Sequence, residues 1–284
     1  MELTLKEFLR GGKEQLTAAG FPEVDAEHLL AHVLGISRME LHNPVTVENA
    51  INAIGDITVI EETFWKLLDR RCAHEPLQYL TGVAYFRYLE LQVGSGVLVP
   101  RPESELLVDA VLKNIEGREG AVSVIDLGAG SGALTLAIAT EAPQTHLIAV
   151  EKDPAAVEWL RKNVSRIDET VRILESDVED ALDGVKCDVV IANPPYIPDG
   201  QELPKDVAEH EPAIALFGGE DGMTIPRRFI NAAARLLKSG GFLAIEHHES
   251  QSIDIAAAML ADFENVECHN DLVGRPRFTT GTRR

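Results

Sequence analysis

The sequence predicts an α/β domain built on an open sheet, preceded by a small helical domain and a β-hairpin. Two observations carry this prediction. From residue 122 onward, short apolar runs typical of buried strands alternate with helical patterns, and glycine-rich or polar segments follow the runs where open α/β sheets place their ligands. The first 75 residues instead repeat apolar side chains at helical spacing, which indicates a separate helical unit.

Residues 1–75 form the predicted helical domain. Residues 26–34 place leucines and a valine on one helical face, and that helix stops at Gly35. Residues 60–68 repeat the spacing in a later helix that ends before Pro76.

A β pattern from Leu77 to Val99 separates the helical domain from the rest of the chain. Its alternating apolar residues and punctuating glycines predict a hairpin. We therefore assign residues 76–100 to a β-hairpin linker and residues 101–284 to the α/β domain. Pro100 to Glu105 opens the first helix of that domain, since proline and acidic side chains suit a first helical turn.

A glycine loop from Asp126 to Gly132 lies between the apolar run 122–125 and a helix that starts at Ala133. Glycines let the backbone turn sharply and approach a ligand, and the helix behind them offers free N–H groups. The loop therefore predicts a nucleotide-like cofactor. By itself it also fits a loose dinucleotide fingerprint, with Glu151 near the offset of a ribose-binding acid, so the loop alone does not identify the cofactor.

The following strands supply acidic residues at their ends. The run 146–150 ends at Glu151, whose carboxylate would accept hydrogen bonds from ribose hydroxyls, and the run 171–174 leads to Asp177. A solvated strand end and a turn or capping role are the alternatives for these two acids. Further strands are expected at 189–192 and 242–245, with two short strands near 266–268 and 278–280 completing an edge.

The segment Asn193-Pro194-Pro195-Tyr196 directly follows the apolar run 189–192. The prolines lack an N–H and have restricted φ, so the segment is stiff and carries carbonyls without competing donors. The side-chain oxygen of Asn193 and the carbonyl of Pro194 could accept both hydrogens of a planar amide or aromatic amine, beside the flat face of Tyr196. This pattern predicts a substrate that carries an NH2 group, with an ordinary proline turn as the alternative.

Residues 197–222 follow as a long stretch rich in proline, glycine and acids. Its length suggests a functional insertion that could form a mobile cover for the substrate. A solvated surface loop is an equally acceptable interpretation.

Composition limits the possible functions. The chain has 284 residues, 45% of them hydrophobic, which is enough for two domains with a sizeable core. Its formal net charge of −20 disfavours a function dominated by attraction to nucleic-acid phosphates. Because no apolar stretch approaches membrane-spanning length and no basic segment precedes an apolar one at the start, we expect a cytoplasmic protein that does not bind a membrane.

Neither the cysteines nor the histidines predict a metal site. The cysteines are odd in number and lack Cys-x-x-Cys spacing, so neither a disulfide framework nor zinc is indicated. His28 and His32 lie one helical turn apart without an identifiable third ligand. Glu246-His247-His248-Glu249 lacks the helical His-Glu-x-x-His arrangement, and a solvated strand end or a hydrogen-bonding role near the cofactor is the better interpretation.

Over nearly its whole length the chain resembles the peptide chain release factor glutamine methyltransferases, the HemK/PrmC family. The resemblance is carried by the helical N-terminal domain, Glu75 to Gly82, Pro100 to Glu105, the glycine loop and Asn193 to Ile197. It implies a Rossmann-like class I S-adenosylmethionine-dependent methyltransferase domain, with the small N-terminal helical domain recognising the substrate and the β-hairpin linking the two. Two departures are mild: Ser104 stands where threonine is usual, and Glu151 where aspartate is common.

The same resemblance implies an activity. The enzyme would transfer a methyl group from S-adenosylmethionine to the side-chain amide nitrogen of the glutamine in the Gly-Gly-Gln motif of bacterial peptide chain release factors. Asp177 would accept a hydrogen bond from the adenine amine, and Val178 would line the adenine pocket. The implied cofactor-binding residues are Asp126, Gly128, Ala129, Gly130, Ser131, Gly132, Glu151, Asp177, Val178 and Asn193. The implied catalytic residues are Asn193, Pro194 and Tyr196, which with Pro195 would contact the substrate.

Other functions remain open on the motifs alone. Asn193 to Tyr196 also resembles the segment found in adenine amine methyltransferases acting on DNA or RNA, although the negative charge argues against direct nucleic-acid binding. A NAD-dependent oxidoreductase would explain the glycine loop and leave Asn193 to Tyr196 without a role. A cofactor-binding module without activity would require the two acceptors to be incidental.

Overall fold

The chain divides into two compact units. The computed structural model describes residues 2–284, with side chains from residue 5 onward. One unit contains the chain up to Gly82 together with Leu203–His210, and the other contains Val83–Glu202 and Glu211–Arg284. The division therefore falls after Gly82 rather than near residue 75, and a short segment from the middle of the chain belongs to the first unit.

The secondary structure follows the predicted order of helices, hairpin and α/β sheet. The α-helices are α1 (Glu2–Ala18), α2 (Val24–Leu34), α3 (Pro44–Ile54), α4 (Ile57–Cys72), α5 (Leu77–Thr81), α6 (Glu105–Ile115), α7 (Ala133–Glu141), α8 (Pro154–Ile167), α9 (Lys205–Ala208), α10 (Thr224–Leu236) and α11 (Ser252–Met259). The strands are β1 (Val83–Phe86), β2 (Leu89–Gln92), β3 (Val122–Leu127), β4 (Thr145–Glu151), β5 (Arg172–Glu175), β6 (Cys187–Ala192), β7 (Leu237–Glu246), β8 (Phe263–Asn270) and β9 (Pro276–Arg283). Among the helices described, none combines the length and apolar character needed to cross a lipid bilayer.

The first unit is a helical domain with its own apolar core. Leu16 of α1, Leu29 of α2 and Phe64 of α4 are fully buried in one cluster. The Asp25 carboxylate accepts a hydrogen bond from Arg71 at 2.8 Å, which pairs two charges that are largely withdrawn from solvent. Because burial of an unpaired charge is costly, this pair satisfies both side chains inside the domain.

The expected β pattern is wrong for residues 77–81, which form helix α5. Pro76 lies just before the helix, where its missing N–H costs nothing, and Gly82 ends the helix in a left-handed conformation. Leu80 packs into the core of the helical domain. Tertiary packing therefore determines the secondary structure of residues 77–81, whose local pattern is compatible with both helix and strand.

The hairpin itself begins at Val83 and belongs to the second unit. Strands β1 and β2 pair antiparallel with Phe86 opposite Leu89. Arg87, in the turn, donates to Glu141 and Asp109, and its backbone N–H donates to Glu105. These bonds fix the hairpin to α6 and α7.

A seven-stranded sheet forms the centre of the second unit, in the order β5-β4-β3-β6-β7-β9-β8. The first five strands are parallel, and β9 and β8 continue the sheet antiparallel. Val124 and Val189 face one apolar core, while Ile125 and Val190 face the other. Both faces are covered by helices, which explains why these strands are continuous apolar runs in the sequence.

The two antiparallel strands are longer than expected, since β8 and β9 each span eight residues. In β8 only Phe263 is buried, and charged and polar side chains occupy most of the strand. Such a strand gives a weak apolar signal, which is why the sequence indicated only short segments.

Candidate functional site

The glycine loop joins β3 to α7 at the carboxyl end of the sheet. The N–H groups of Gly128 and Ala129 both donate to the carbonyl of Val150, at 2.9 and 3.0 Å. Gly132 has a φ of +86°, and a Cβ at this position would lie 2.7 Å from the side chain of Leu160. A larger residue would therefore be strained and would clash, so the tight turn depends on glycine.

Glu151 holds the loop against the end of β4. Its Oε2 accepts from the Gly130 N–H at 2.9 Å, and its Oε1 accepts from the N–H groups of Lys152 and Asp153 at 2.7 and 2.9 Å. An ionised carboxylate has about four acceptor positions, so with three of them occupied about one remains for a ligand hydroxyl. The solvated strand end is thus the wrong interpretation of Glu151, whose carboxylate is bound to backbone.

Asp126 lies behind the loop and is fully buried. Burial raises the pKa of Asp126 to about 7, although the Thr135 hydroxyl, which donates to Oδ2 at 2.5 Å, acts in the opposite direction. Within the described part of the chain, Oδ1 of Asp126 is buried without a hydrogen-bond partner. A buried acceptor without a donor is costly to the folded state.

Asp177 and Val178 follow β5. Burial raises the pKa of Asp177, but the Glu179 N–H and the Lys152 ammonium outweigh this effect and leave the pKa below its ordinary value. The carboxylate is therefore an acceptor at neutral pH. Arg235 of α10, which the sequence analysis missed, donates to the carbonyls of Val178, Glu179 and Ala181 at 3.0, 3.2 and 2.9 Å.

A cavity in the second unit brings these segments together. Among the predicted site residues, Gly128 to Ser131, Glu151, Asp177, Val178, Asn193 and Pro195 line it. Asp126, Gly132, Pro194 and Tyr196 are not among its lining residues. The apolar part of the wall, including Phe86, Val97 and Phe229, was not identified from the sequence, because these side chains look like ordinary core residues there.

The Asn-Pro-Pro-Tyr segment leaves β6 at the same sheet end. Asn193 Nδ2 donates to Ser104 Oγ at 3.1 Å, and the Tyr196 hydroxyl donates to Glu246 Oε1 at 3.3 Å. Gln251 Nε2 donates to the Tyr196 carbonyl at 2.9 Å. The segment is thus held through side chains from two distant parts of the sequence, residue 104 and residues 246–251.

Pro212, Ile214, Ala215 and Phe217 also line the cavity. A Cβ on Gly218 would lie 2.7 Å from the Pro195 carbonyl oxygen, so this part of the stretch packs directly on the Asn-Pro-Pro-Tyr backbone. A solvated surface loop therefore describes only part of residues 212–218, since Leu216 and Gly218 are buried while Ala213 and Ile214 are exposed. Arg101, another lining residue, pairs with Glu211 at 2.5 Å at the beginning of this segment.

Glu246 ends β7 and is buried between Ser104 and Tyr196, with 1% of its surface exposed. Ser104 Oγ donates to Glu246 Oε2 at 2.5 Å. Burial raises the pKa of Glu246 to about 7, against the lowering effects of the Ser104 hydrogen bond and the Arg277 charge. A solvated strand end is therefore wrong for Glu246, and no local sequence pattern pointed to its partners.

His247 is buried next to Glu246 and serves the sheet rather than a metal. Its Nδ1 lies 2.8 Å from the His248 carbonyl, which can only accept, so Nδ1 carries the proton and Nε2 accepts from the Thr279 hydroxyl at 2.9 Å. Burial lowers the pKa of His247, which keeps the ring neutral. Where the structure describes the chain, no group of three or more histidine, cysteine, aspartate or glutamate side chains is placed to hold a metal ion.

Sequence comparison finds similar proteins over the full chain. The PrmC N-terminal domain family matches residues 7–82, and the Methyltransferase small domain family matches residues 102–210. The chain is 41% identical to the release factor glutamine methyltransferase of Mycolicibacterium smegmatis over 98% of both chains. It is 38% identical to the protein of the same name from Streptomyces coelicolor, covering 100% of this chain and 99% of the relative.

Solved structures share the fold at low identity. A 16S rRNA N2 G1207 methyltransferase from T. thermophilus, in complex with AdoMet and guanosine, superposes with a TM-score of 0.53 at 23% identity, covering 71% of this chain and 50% of the other. A methyltransferase from Pyrococcus furiosus gives a TM-score of 0.51 at 20% identity, covering 69% and 88%. These likenesses confirm the Rossmann-like class I methyltransferase fold that the sequence predicted.

Proposed function

Because the chain belongs to the family of release factor glutamine methyltransferases, we propose that the cavity of its second unit binds S-adenosylmethionine and that Asn193 to Tyr196 hold the glutamine that is methylated. The chain is an S-adenosylmethionine-dependent protein-glutamine N-methyltransferase, and its substrates are release factors. The observation that carries the residue assignment is that the glycine loop, Glu151 and Asn193 line one cavity.

The residues of the cofactor end fit this ligand. Glu151 retains about one free acceptor position for a ribose hydroxyl, and Asp177 is an ionised acceptor suited to an adenine amine. The tight glycine loop keeps side chains out of the space in front of α7, and Val178 adds an apolar surface. When bound, the cofactor supplies an electrophilic methyl group on a sulfonium centre.

The residues of the substrate end position a weak nucleophile. The lone pair of an amide nitrogen is delocalised, so the main task is to hold the nitrogen in line with the methyl group at near-attack distance. Asn193 Oδ1 and the Pro194 carbonyl would accept the two N–H bonds of the glutamine side chain. As the nitrogen becomes positively charged, these preorganised acceptors stabilise it more strongly than they stabilise the ground state.

The helical unit would recognise the release factor, with the Gly-Gly-Gln glutamine as the methylated residue. Support for this comes from the match of residues 7–82 to the PrmC N-terminal domain family. The net charge of −20 supports a protein substrate rather than direct binding of nucleic acid, and a substrate of the translation machinery supports a cytoplasmic location.

Methyl transfer can be tested directly. The protein is incubated with radiolabelled S-adenosylmethionine and either a release factor or unmodified RNA and DNA, and the label is located by mass spectrometry. We expect one methyl group on the glutamine of the Gly-Gly-Gln motif. Methyl on nucleic acid and never on the release factor would refute the proposed function.

A further inference from the structure

Two buried side chains and the half-buried Asn193 form a line that ends at the cavity. Glu246 of β7 bonds Ser104, which precedes α6, and Ser104 bonds Asn193, which lines the cavity. Ser104 and Glu246 are 3% and 1% exposed. Water therefore does not compete for these bonds, and each group must be satisfied by its neighbours.

With Glu246 ionised, the donors and acceptors along this line permit one arrangement. The Ser104 hydroxyl has a single hydrogen, and the short distance of 2.5 Å to Glu246 Oε2 is typical of a hydroxyl that donates to a carboxylate. With its hydrogen engaged, the hydroxyl oxygen can only accept from Asn193. The amide of Asn193 must then direct its NH2 group to Ser104 at 3.1 Å, which leaves Oδ1 as the end available to a ligand.

We propose that Ser104 and Glu246 are specificity-determining positioning residues that lock the Asn193 amide with Oδ1 toward the substrate, so that the site takes an N–H donor and rejects a carboxylate. This inference rests on the proposed function. An unrestrained asparagine could rotate its amide and offer NH2 to a glutamate side chain. The line of hydrogen bonds prevents this rotation of the Asn193 amide. A glutamate carboxylate would then face two acceptors, Asn193 Oδ1 and the Pro194 carbonyl, and would bind poorly.

The same carboxylate also holds the other end of the segment. Glu246 Oε1 accepts from the Tyr196 hydroxyl at 3.3 Å, so one buried group orients both Asn193 and Tyr196. This second bond is longer and leads to the hydroxyl of a ring, whereas the bond through Ser104 controls which atom of Asn193 faces the substrate. Selectivity for the amide therefore depends on Ser104 rather than on the Tyr196 hydroxyl.

Ser104→Ala tests whether Ser104 fixes the orientation of the Asn193 amide. The affinities of the enzyme for a release factor and for the same factor with glutamate in place of the Gly-Gly-Gln glutamine are measured by competition binding. We expect the wild-type preference for glutamine to fall by about tenfold or more in Ser104→Ala, through rotation of the freed amide. Ser104→Thr retains a hydroxyl and should restore the preference.

Ser123→Ala is a matched control within the same sheet. Ser123 Oγ donates to Asp188 Oδ2 at 2.6 Å and accepts from the Asp188 N–H at 3.1 Å, at the opposite end of β3 from the site. It repeats the bonding pattern of Ser104 without contact to the cavity, and the preference should be unchanged. If Ser104 had only a structural role, Ser104→Ala would lower the free energy of unfolding and leave the preference for glutamine over glutamate unchanged.

Glu246→Gln provides a second variant if Ser104→Ala fails to fold. A glutamine amide can donate to Ser104, and the Ser104 hydroxyl can then donate to Asn193 Oδ1, so the Asn193 amide is no longer fixed in one orientation. An unchanged preference for glutamine in whichever variant folds, as judged by thermal unfolding, overturns the inference. Failure of the proposed function gives a different result, since the wild-type enzyme would then transfer no methyl group to any release factor.

Discussion

The two ends of the cavity are built in different ways. At the cofactor end, the glycine loop is held by backbone bonds to the neighbouring strand and by Glu151, which follows about twenty residues later. At the substrate end, Asn193 and Tyr196 are held by Ser104, Glu246 and Gln251, which come from two parts of the sequence far from residues 193–196. The cofactor end is therefore locally encoded, whereas the substrate end depends on the assembled fold.

The difference is also one of charge. Glu151 and Asp177 keep contact with backbone donors or Lys152, and both can act as acceptors for a ligand. Glu246 is withdrawn from solvent, and burial raises its pKa to about 7. The cofactor end thus uses carboxylates that touch the ligand, while the substrate end uses a carboxylate that acts through other side chains. Substitutions at the two ends should separate binding from chemistry.

Asn193→Ala should give the largest effect. We expect methyl transfer to a release factor to fall by about 10² to 10³, the scale of losing one preorganised polar group at a reacting centre. The affinity for S-adenosylmethionine, measured by calorimetry, should change little because Glu151 and Asp177 remain. Full transfer activity in a folded Asn193→Ala protein would remove the acceptor from the mechanism.

Glu151→Ala should act in the opposite way, mainly on the cofactor. Loss of a charge-assisted hydrogen bond to the ribose should weaken S-adenosylmethionine binding by roughly 1.5 to 3 kcal/mol. The variant also frees the Gly130 N–H, so the loop should become more mobile as well. Calorimetry compares the variant with the wild type, and equal affinities would exclude Glu151 from the site.

The same contrast decides what the sequence could predict. The sequence alone indicated the order of the strands along the chain, the glycine loop, Glu151 and Asn193 to Tyr196. Each of these patterns lies within a few consecutive residues. Ser104 looked like part of an ordinary helix start, and Glu246 like a strand end. The two hydrogen-bond partners of Ser104, Asn193 and Glu246, lie 89 and 142 residues away along the chain. Nothing in the local sequence could therefore reveal these contacts. Helix α5 escaped for a similar reason, since packing of Leu80 outweighed the local β pattern.

The pH dependence should expose the buried carboxylate. Ionised Glu246 accepts from Ser104 and Tyr196, whereas protonated Glu246 must donate one of these bonds and loosen Asn193. With a pKa of about 7, kcat/KM should rise with pH and be about tenfold below its plateau at pH 6. The charged groups that face Glu246 are Arg277 of β9 and Glu103 of the turn before α6.

Stability should change in the opposite direction over the same pH range. Burial raises the folded-state pKa of Glu246 from 4.5 to about 7, so the folded protein binds the proton more strongly than the unfolded chain between these values. The free energy of unfolding therefore falls as pH rises through this window. Asp126, whose pKa is also about 7, contributes in the same direction. In Glu246→Gln the rise in kcat/KM should disappear, while the Asp126 part of the stability change remains.

Tyr196→Phe should give the smallest loss of methyl transfer. It separates the role of the Tyr196 hydroxyl from the roles of the Tyr196 ring and of Ser104. The lost hydrogen bond is 3.3 Å long, so transfer should fall by about two- to tenfold, and Tyr196→Ala should be more damaging because it also removes the ring. Removing this donor destabilises ionised Glu246, so the rise in kcat/KM should move to higher pH than in the wild type. The preference for glutamine over glutamate should persist, since the bond through Ser104 is intact. A pH profile that does not shift would mean that the Tyr196 hydroxyl does not act on Glu246, and a larger loss in Tyr196→Phe than in Tyr196→Ala would give the hydroxyl, rather than the ring, the leading role.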